Sequence, residues 1–234
     1  MPTNAHPPDF RHVDTWIFDL DNTLYPASCD LFSQIDARMR QFLARYFSCD
    51  EDQARSIQKA YYRDHGTTLS GMMKVHKMEP GPYLDFVHDI DLSVVMPSTA
   101  LVDALTRLPG RKVIFTNGSV AHATRVTDRL GITAQFDQMI DIAATGYIPK
   151  PDRRAFESMM QVCAIAPRAA AMFEDISRNL VVPAELGMTT VWVRNDSSWS
   201  KQGPEWPKAS AEHIHHEADD LAAFLLSLRI KETV

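Results

Sequence analysis

Cysteine is scarce, with three in 234 residues. Cys29, Cys49 and Cys163 are widely spaced, odd in number and free of any CxxC pair. That pattern argues against a disulfide-stapled secreted domain and for a reducing, cytoplasmic setting. Cys163 lies in an apolar helical stretch and reads as a small core residue. Long apolar runs are missing as well: no stretch of about 18 apolar residues occurs, so no membrane span is expected. There is no Lys/Arg-rich block, and 24 basic against 30 acidic residues give a formal net charge of −6. Nucleic acid is therefore not an expected partner. The chain shows no internal repeat. Residues Met1 to Asp9 hold Pro2, Pro7 and Pro8 without an apolar run, and read as part of a flexible tail over 1–12 rather than a signal peptide.

What is present is a hydrophobic fraction of 45%, enough for one large domain or a core domain with an insertion. Strand-like segments run Val13 to Phe18, Lys112 to Phe115, Gln138 to Ile142, Ala170 to Phe173 and Thr189 to Val193. Helical patterns alternate with them, such as Val120 to Leu130, closed by Gly131. Such alternation predicts an α/β fold, a Rossmann-like parallel sheet covered on both faces. Residues 27–97 break the alternation. Leu31, Ile35, Met39, Phe42, Leu43 and Tyr46 recur at helical spacing. Asp50 reads as the N-cap of a second helix that stops at Gly66, and Pro80 to His88 as a short further helix. The expected organisation is a helical domain over 27–97 inserted after the first strand of a core formed by 13–26 and 98–234. Residues 196–210, rich in Ser, Lys, Pro and Trp, read as a surface loop. His213, His215 and His216 flank a strand-like run at Ile214 that leads into a helix from Asp219 to Leu228. They read as solvated or core-edge histidines rather than metal ligands.

The first strand ends in Asp19 and Asp21, followed by Thr23. Two clustered carboxylates at a strand end call for a cation or a shared proton, and Mg2+ prefers oxygen ligands. The same string also suits a turn or helix cap. Three other strand or loop ends carry polar residues of matching type. Thr116, Asn117, Gly118 and Ser119 follow the second strand and open a helix, an arrangement suited to phosphate. Lys150 stands before Pro151, which is a good first residue for a helix. Glu174 and Asp175 end the strand from Ala170. In an open α/β sheet these ends share one crevice, so Thr116, Lys150 and Asp175 are expected to converge on Asp19 and Asp21.

In this order, DxDxT, a Ser/Thr strand end, a Lys and a terminal acidic pair resemble the haloacid dehalogenase superfamily, mainly Mg2+-dependent phosphatases with an aspartate nucleophile. The helical insertion looks like that superfamily's helical cap. Four longer strings resemble its pyrimidine 5′-nucleotidase branch: Asp19-Leu-Asp-Asn-Thr-Leu-Tyr-Pro26, Tyr61-Tyr-Arg-Asp-His-Gly-Thr-Thr-Leu-Ser-Gly71, Leu108-Pro-Gly-Arg-Lys-Val-Ile-Phe-Thr-Asn-Gly118 and Gly187-Met-Thr-Thr-Val191. The likeness runs from about Thr15 to Arg194. One departure is Glu174-Asp175-Ile176, where the branch usually has two aspartates and then Ser. Glu keeps the charge, and the missing Ser hydroxyl takes away a supporting hydrogen bond.

The resemblance implies a phosphomonoesterase acting on uridine or cytidine 5′-monophosphate. Asp19 would be the nucleophile and Asp21 the acid and then the base. Mg2+ would be held by Asp19, the Asp21 backbone carbonyl and Asp175, with Glu174 acting through water. Thr116, the Asn117 amide and Lys150 would bind phosphate oxygens. The cap would read the leaving group through the loop around Thr67, Thr68 and Met73, with Gly66 and Gly71 lending flexibility and Leu69 and Met72 packing on the base. The alternatives are a phosphatase for another small ester, such as a sugar phosphate, and a catalytically silent binding or scaffold protein. A hydrolytic dehalogenase needs no leaving-group acid, so Asp21 argues against it.

Overall fold

Trp16, Ile17 and Phe18 fix the centre of the molecule: successive bulky side chains on an extended segment point to opposite faces and need apolar cover on both. They lie in β1 (Thr15–Phe18), which pairs in parallel with β2 (Arg111–Phe115) on one side and β4 (Ala170–Glu174) on the other. β3 (Gln138–Ile140), β5 (Thr189–Val193) and β6 (His216–Ala218) complete a six-stranded sheet in the order β3-β2-β1-β4-β5-β6, with every pair parallel. The computed structural model describes residues 7–195 and 211–232. The loop expected over 196–210 lies outside the described residues.

Trp16, Phe18, Ile114 and Phe173 face one core, roofed by Leu105 of α5 (Thr99–Arg107), Val126 of α6 (Val120–Leu130) and Leu225 of α9 (Leu221–Ser227). Ile17, Val113, Phe115 and Met172 face the other, covered by Phe156 and Met159 of α7 (Arg153–Cys163). A short α8 (Val181–Leu186) leads into β5.

Between β1 and α5 the chain leaves the sheet. It forms α1 (Leu31–Phe47), α2 (Glu51–His65), α3 (Thr68–His76) and α4 (Pro80–Val87). The Asp50 carboxylate accepts the Gln53 amide at the start of α2, and Gly66 closes that helix at φ 83°. The block packs around two small clusters, one on Leu69, Tyr83 and Val87, the other on Leu43, Ala54 and Met72. Among the described residues no helix is long and apolar enough to cross a membrane.

The structure corrects several expectations. The described part of the tail is docked, because Phe10 is fully buried against Trp16 at 5.9 Å and its amide bonds to Arg229 O. The segment from Thr68 is helix rather than loop, since the Thr67 hydroxyl accepts the Ser70 amide and caps α3. Gly71 lends close approach rather than flexibility: a Cβ there would lie 2.4 Å from Tyr61 Cγ. The third strand ends at Ile140, where the Asp141 carboxylate takes the Val120 and Ala144 amides and turns the chain. α7 begins at Arg153 with Asp152 as its cap, not at Pro151.

Candidate active site

The carboxyl ends of β1, β2 and β4 meet in one crevice beneath the helical block. Asp19 follows β1, and its amide bonds to Phe173 O of the neighbouring strand at 2.9 Å. Lys150, with its side chain almost fully buried, reaches in from the segment before α7. Its Nζ donates to Asp19 Oδ1 at 2.6 Å, Phe115 O at 2.8 Å and Glu174 Oε1 at 2.9 Å. Three acceptors use all the protons of an ammonium. Lys150 thus serves two carboxylates and a backbone carbonyl here, the carboxylate-cluster role open to a lysine at this position rather than the phosphate contact that the resemblance implies.

Asp19, Glu174 and Asp175 place carboxylate oxygens within 4.8 Å of one another, all on buried residues. Burial pushes Asp19 up to about 7; Lys150 opposes this, while Glu174 and Asp21 add to it. Burial and the charges of Glu174 and Asp19 likewise hold Asp175 well above the usual carboxylate range. For Lys150, burial lowers the pKa and the two carboxylates more than offset it. One lysine against three buried carboxylates leaves excess negative charge lined with hard oxygen donors. That donor set fits a divalent cation such as Mg2+.

Glu174 is the most tightly held of the three. Its Oε1 also accepts Asn179 Nδ2 at 2.6 Å, and its Oε2 accepts the Ile176 amide at 2.7 Å. Glu174 is thus held without a side-chain hydroxyl at position 176, by a backbone donor and Asn179. Asp19 Oδ2 accepts the Thr23 hydroxyl at 3.2 Å, and Asp175 Oδ2 accepts Asn195 Nδ2 at 3.1 Å. Asp175 does not act as a helix cap; the turn after it has Ile176 at its start.

Thr116 is buried at the end of β2, its hydroxyl accepting the Gly118 amide at 2.9 Å. The side chain of Asn117 brackets Lys150, accepting its amide at 2.9 Å and donating to its carbonyl at 3.3 Å. The start of α6 is partly used by the protein itself, because Asp141 takes the Val120 amide and Ser119 takes that of His122. What α6 leaves for an anion is accordingly less than an open helix start.

Asp21 stands apart from the carboxylate trio. Its Oδ1 accepts the Tyr25 hydroxyl at 2.6 Å and His122 Nε2 at 2.8 Å. Burial raises this carboxyl, but His122 and Tyr25 outweigh it and hold the group below its ordinary value. The fully buried ring of His122 stacks on His88 with centroids 4.4 Å apart and planes 7° from parallel. Burial, with His122 beside it, drives His88 down to about 3, so it is neutral at physiological pH. Sequence reasoning missed Tyr25, His88 and His122. One signal was available: His122 shares the buried stripe of α6 with Ala123, Val126 and Leu130, where a titratable ring needs a polar partner.

The crevice encloses a cavity of about 160 Å3 with Asp19, Asp21, Thr116, Asn117, Lys150 and Asp175 on its floor. Its upper wall includes Thr67, Thr68, Leu69 and Tyr83 of the helical block. Met73 and Met72 are not brought to it. Met73 packs with Tyr83 and Leu69 inside the block, and Met72 is fully buried against Leu43 and Ala54. Met73 shares the face of Leu69 but stands about 6 Å further along α3, and Met72 is turned toward Leu43 and Ala54. A further link joins the two parts of the molecule: Arg178, just past Asp175, donates to the Tyr62 hydroxyl and lies 4.6 Å over its ring.

A model for haloacid dehalogenase-like hydrolases matches residues 13–182. Phosphate metabolism protein 8 of Saccharomyces cerevisiae is 28% identical over 193 residues, 74% of this chain. The match covers 59% of that protein, so the chain spans less than two thirds of its curated relative. Among solved structures, L-2-haloacid dehalogenase from Xanthobacter autotrophicus with chloropropionic acid covalently bound has a TM-score of 0.57 at 15% identity, covering 92% of this chain and 97% of that one. The magnesium-bound HAD-hydrolase YfnB from Bacillus subtilis has a TM-score of 0.57 at 17% identity, covering 90% and 96%. At these identities the likeness establishes the fold.

Proposed function

Because the chain belongs to the haloacid dehalogenase-like hydrolase family, we propose that it is a phosphomonoesterase working through an aspartyl-phosphate. The observation that carries this reading is Asp21. A second carboxylate, two positions from Asp19 and anchored through one oxygen by Tyr25 and His122, is what an alkoxide leaving group requires. Displacement of halide does not require it.

In this reading the Asp19 carboxylate attacks phosphorus in line, and the bond from phosphorus to the ester oxygen breaks. Asp21, held ionised in the free site by its two donors, takes up a proton carried in on the monoanionic ester and gives it to that oxygen, and the alcohol departs. The Asp21 carboxylate then takes a proton from water. The water oxygen attacks phosphorus, the bond to Asp19 breaks, and inorganic phosphate leaves with Asp19 regenerated and Asp21 protonated again. Lys150 holds Asp19 in place and offsets part of the local negative charge. Thr116 and the Asn117 amide face the phosphate oxygens. Asp19, Asp175 and the Asp21 carbonyl would hold Mg2+, with Glu174 behind them, and the cation would supply charge neutralisation for the transferring group.

Residues 27–97 serve here as a cap over the core of 13–26 and 98–234, excluding water and reading the leaving group. The substrate proposed is a pyrimidine nucleoside 5′-monophosphate. The Thr68 hydroxyl beside Leu69 and Tyr83 supports it, since polar and apolar contacts together suit a base and ribose; the Thr67 hydroxyl is taken up by Ser70. The name of the yeast relative, phosphate metabolism protein 8, is in keeping with phosphoester chemistry. The test is phosphate release from uridine, cytidine and purine monophosphates, sugar phosphates and an aryl phosphate with Mg2+. Preference for a sugar phosphate would move the substrate assignment and keep the chemistry. Release from none of them would overturn the phosphatase reading.

A further inference from the structure

Both donors to Asp21 converge on a single oxygen. The Tyr25 hydroxyl and His122 Nε2 bond to Oδ1 at 2.6 and 2.8 Å, and among the described residues no hydrogen bond to Oδ2 is found. A carboxylate only accepts, so His122 must carry its proton on Nε2. With two hydrogen bonds already on Oδ1, Oδ2 is the oxygen left to exchange a proton with the substrate.

The ring of His122 is itself constrained. Its Nδ1 is buried without a partner among the described residues, so its orientation depends on Asp21 on one edge and on His88 across its face at 4.4 Å. His88 ends α4 in the helical block, and its Nδ1 meets the hydroxyl of Ser119, the residue that caps the helix bearing His122. Arg125 of the same helix donates to His88 O at 2.8 Å and Ile90 O at 3.2 Å, tying the exit of the block to α6.

We propose that His122 and Tyr25 are positioning residues that fix the Asp21 carboxyl by Oδ1 so that Oδ2 delivers the proton to the leaving-group oxygen, and that His88 holds His122 in register from the helical block. This rests on the acid role given to Asp21 above. Neither residue touches the substrate, so their loss should follow the leaving group and not the binding of phosphate.

The test compares the wild-type enzyme with His122→Asn, His122→Gln, Tyr25→Phe and Asp21→Asn on a nucleoside monophosphate and on 4-nitrophenyl phosphate. An aryl oxide leaves with little acid assistance, whereas a ribose oxygen needs it. His122→Asn should lower the ratio of nucleotide to aryl kcat by about 10²-fold, the lower end of what acid catalysis contributes, with little change in KM. His122→Gln, whose amide N–H stands near the place of Nε2, should recover part of that ratio. Tyr25→Phe should lower it in the same direction by less. An equal loss on both esters in His122→Asn would make His122 a structural residue and overturn the proposal. If His122→Asn does not fold, Tyr25→Phe decides, and an unchanged ratio there overturns the proposal. Asp21→Asn separates the two levels. If it shows the leaving-group dependence and the others do not, positioning fails alone; if it shows none, the acid assignment fails with it.

Discussion

Lys150 Nζ lies 2.6 Å from Asp19 Oδ1, a buried cation bonded directly to the proposed nucleophile. The same nitrogen is 2.9 Å from Glu174 Oε1, so one charge is shared between two strand ends. Removing it leaves the carboxylates uncompensated in a buried site. Lys150→Met should lower unfolding free energy at pH 8 by about 3–5 kcal/mol, the usual cost of breaking a buried pair. The loss should shrink toward pH 5, where Asp19 and Asp175 can take up protons instead. Urea unfolding at both pH values checks this; a change below about 1 kcal/mol at pH 8 contradicts the account.

Mg2+ should stabilise the protein as well as activate it. Binding to the folded state alone raises stability by about 2.7 kcal/mol at a hundred times the dissociation constant. Chelation should abolish phosphate release and Mg2+ restore it, while Ca2+, with a larger and looser shell, should substitute poorly. Asp175→Asn should remove the Mg2+-dependent rise in melting temperature. An Asp175→Asn protein that keeps the full shift would place the cation elsewhere.

His88 should make the fold acid-sensitive. Its pKa falls from an ordinary 6.5 to about 3 on folding, so the unfolded chain takes a proton that the folded one refuses. The stability it contributes is complete above pH 6.5 and is lost as pH falls toward 3. Between pH 7 and pH 5 that amounts to about 1–2 kcal/mol. His88→Asn should lose less stability than the wild-type chain over this interval; equal losses would show that His88 does not carry the effect.

The helical block should set substrate preference through Thr68 and not through Met73. Thr68→Val should alter kcat/KM ratios among nucleotides by up to about tenfold, the scale of a lost hydroxyl contact, and leave the aryl phosphate near its original rate. Met73→Ala should lower the melting temperature without changing those ratios, because Met73 packs within the block. Ratios that move with Met73 and not with Thr68 would reverse the assignment.

Much of the floor of the site was legible in the sequence because its residues stand at strand ends, Lys150 in the segment before α7 excepted. Asp19, Thr116 and Glu174 follow β-branched or aromatic runs whose period fixes where the chain emerges, and the parallel order brings those ends together. The helical block was legible as helices, but its side chains were not. Thr67 was read as part of a flexible loop, yet its hydroxyl caps α3, and the resulting helix carries Met72 and Met73 away from the crevice. Tyr25, four residues past Asp21, was within local reach and was missed; His88 and His122 were out of reach for another reason. Their meeting depends on α6 and the exit of α4 packing together across more than thirty residues of chain, as Ser119 and His88 do, and no local pattern encodes that. Phe10 was hidden in the same way, since only the folded surface around Trp16 and Phe224 gives it a place to dock.

The most direct measurement is the identity of the covalent intermediate. Enzyme mixed with phosphoester and Mg2+, quenched in acid within a turnover and digested, should yield one phosphorylated peptide with the phosphoryl group on Asp19. Asp19→Asn should fold, bind phosphate and give no such peptide and no turnover. Phosphorylation on another residue, turnover by Asp19→Asn, or release of halide from a 2-haloacid in place of phosphate from an ester would contradict the account.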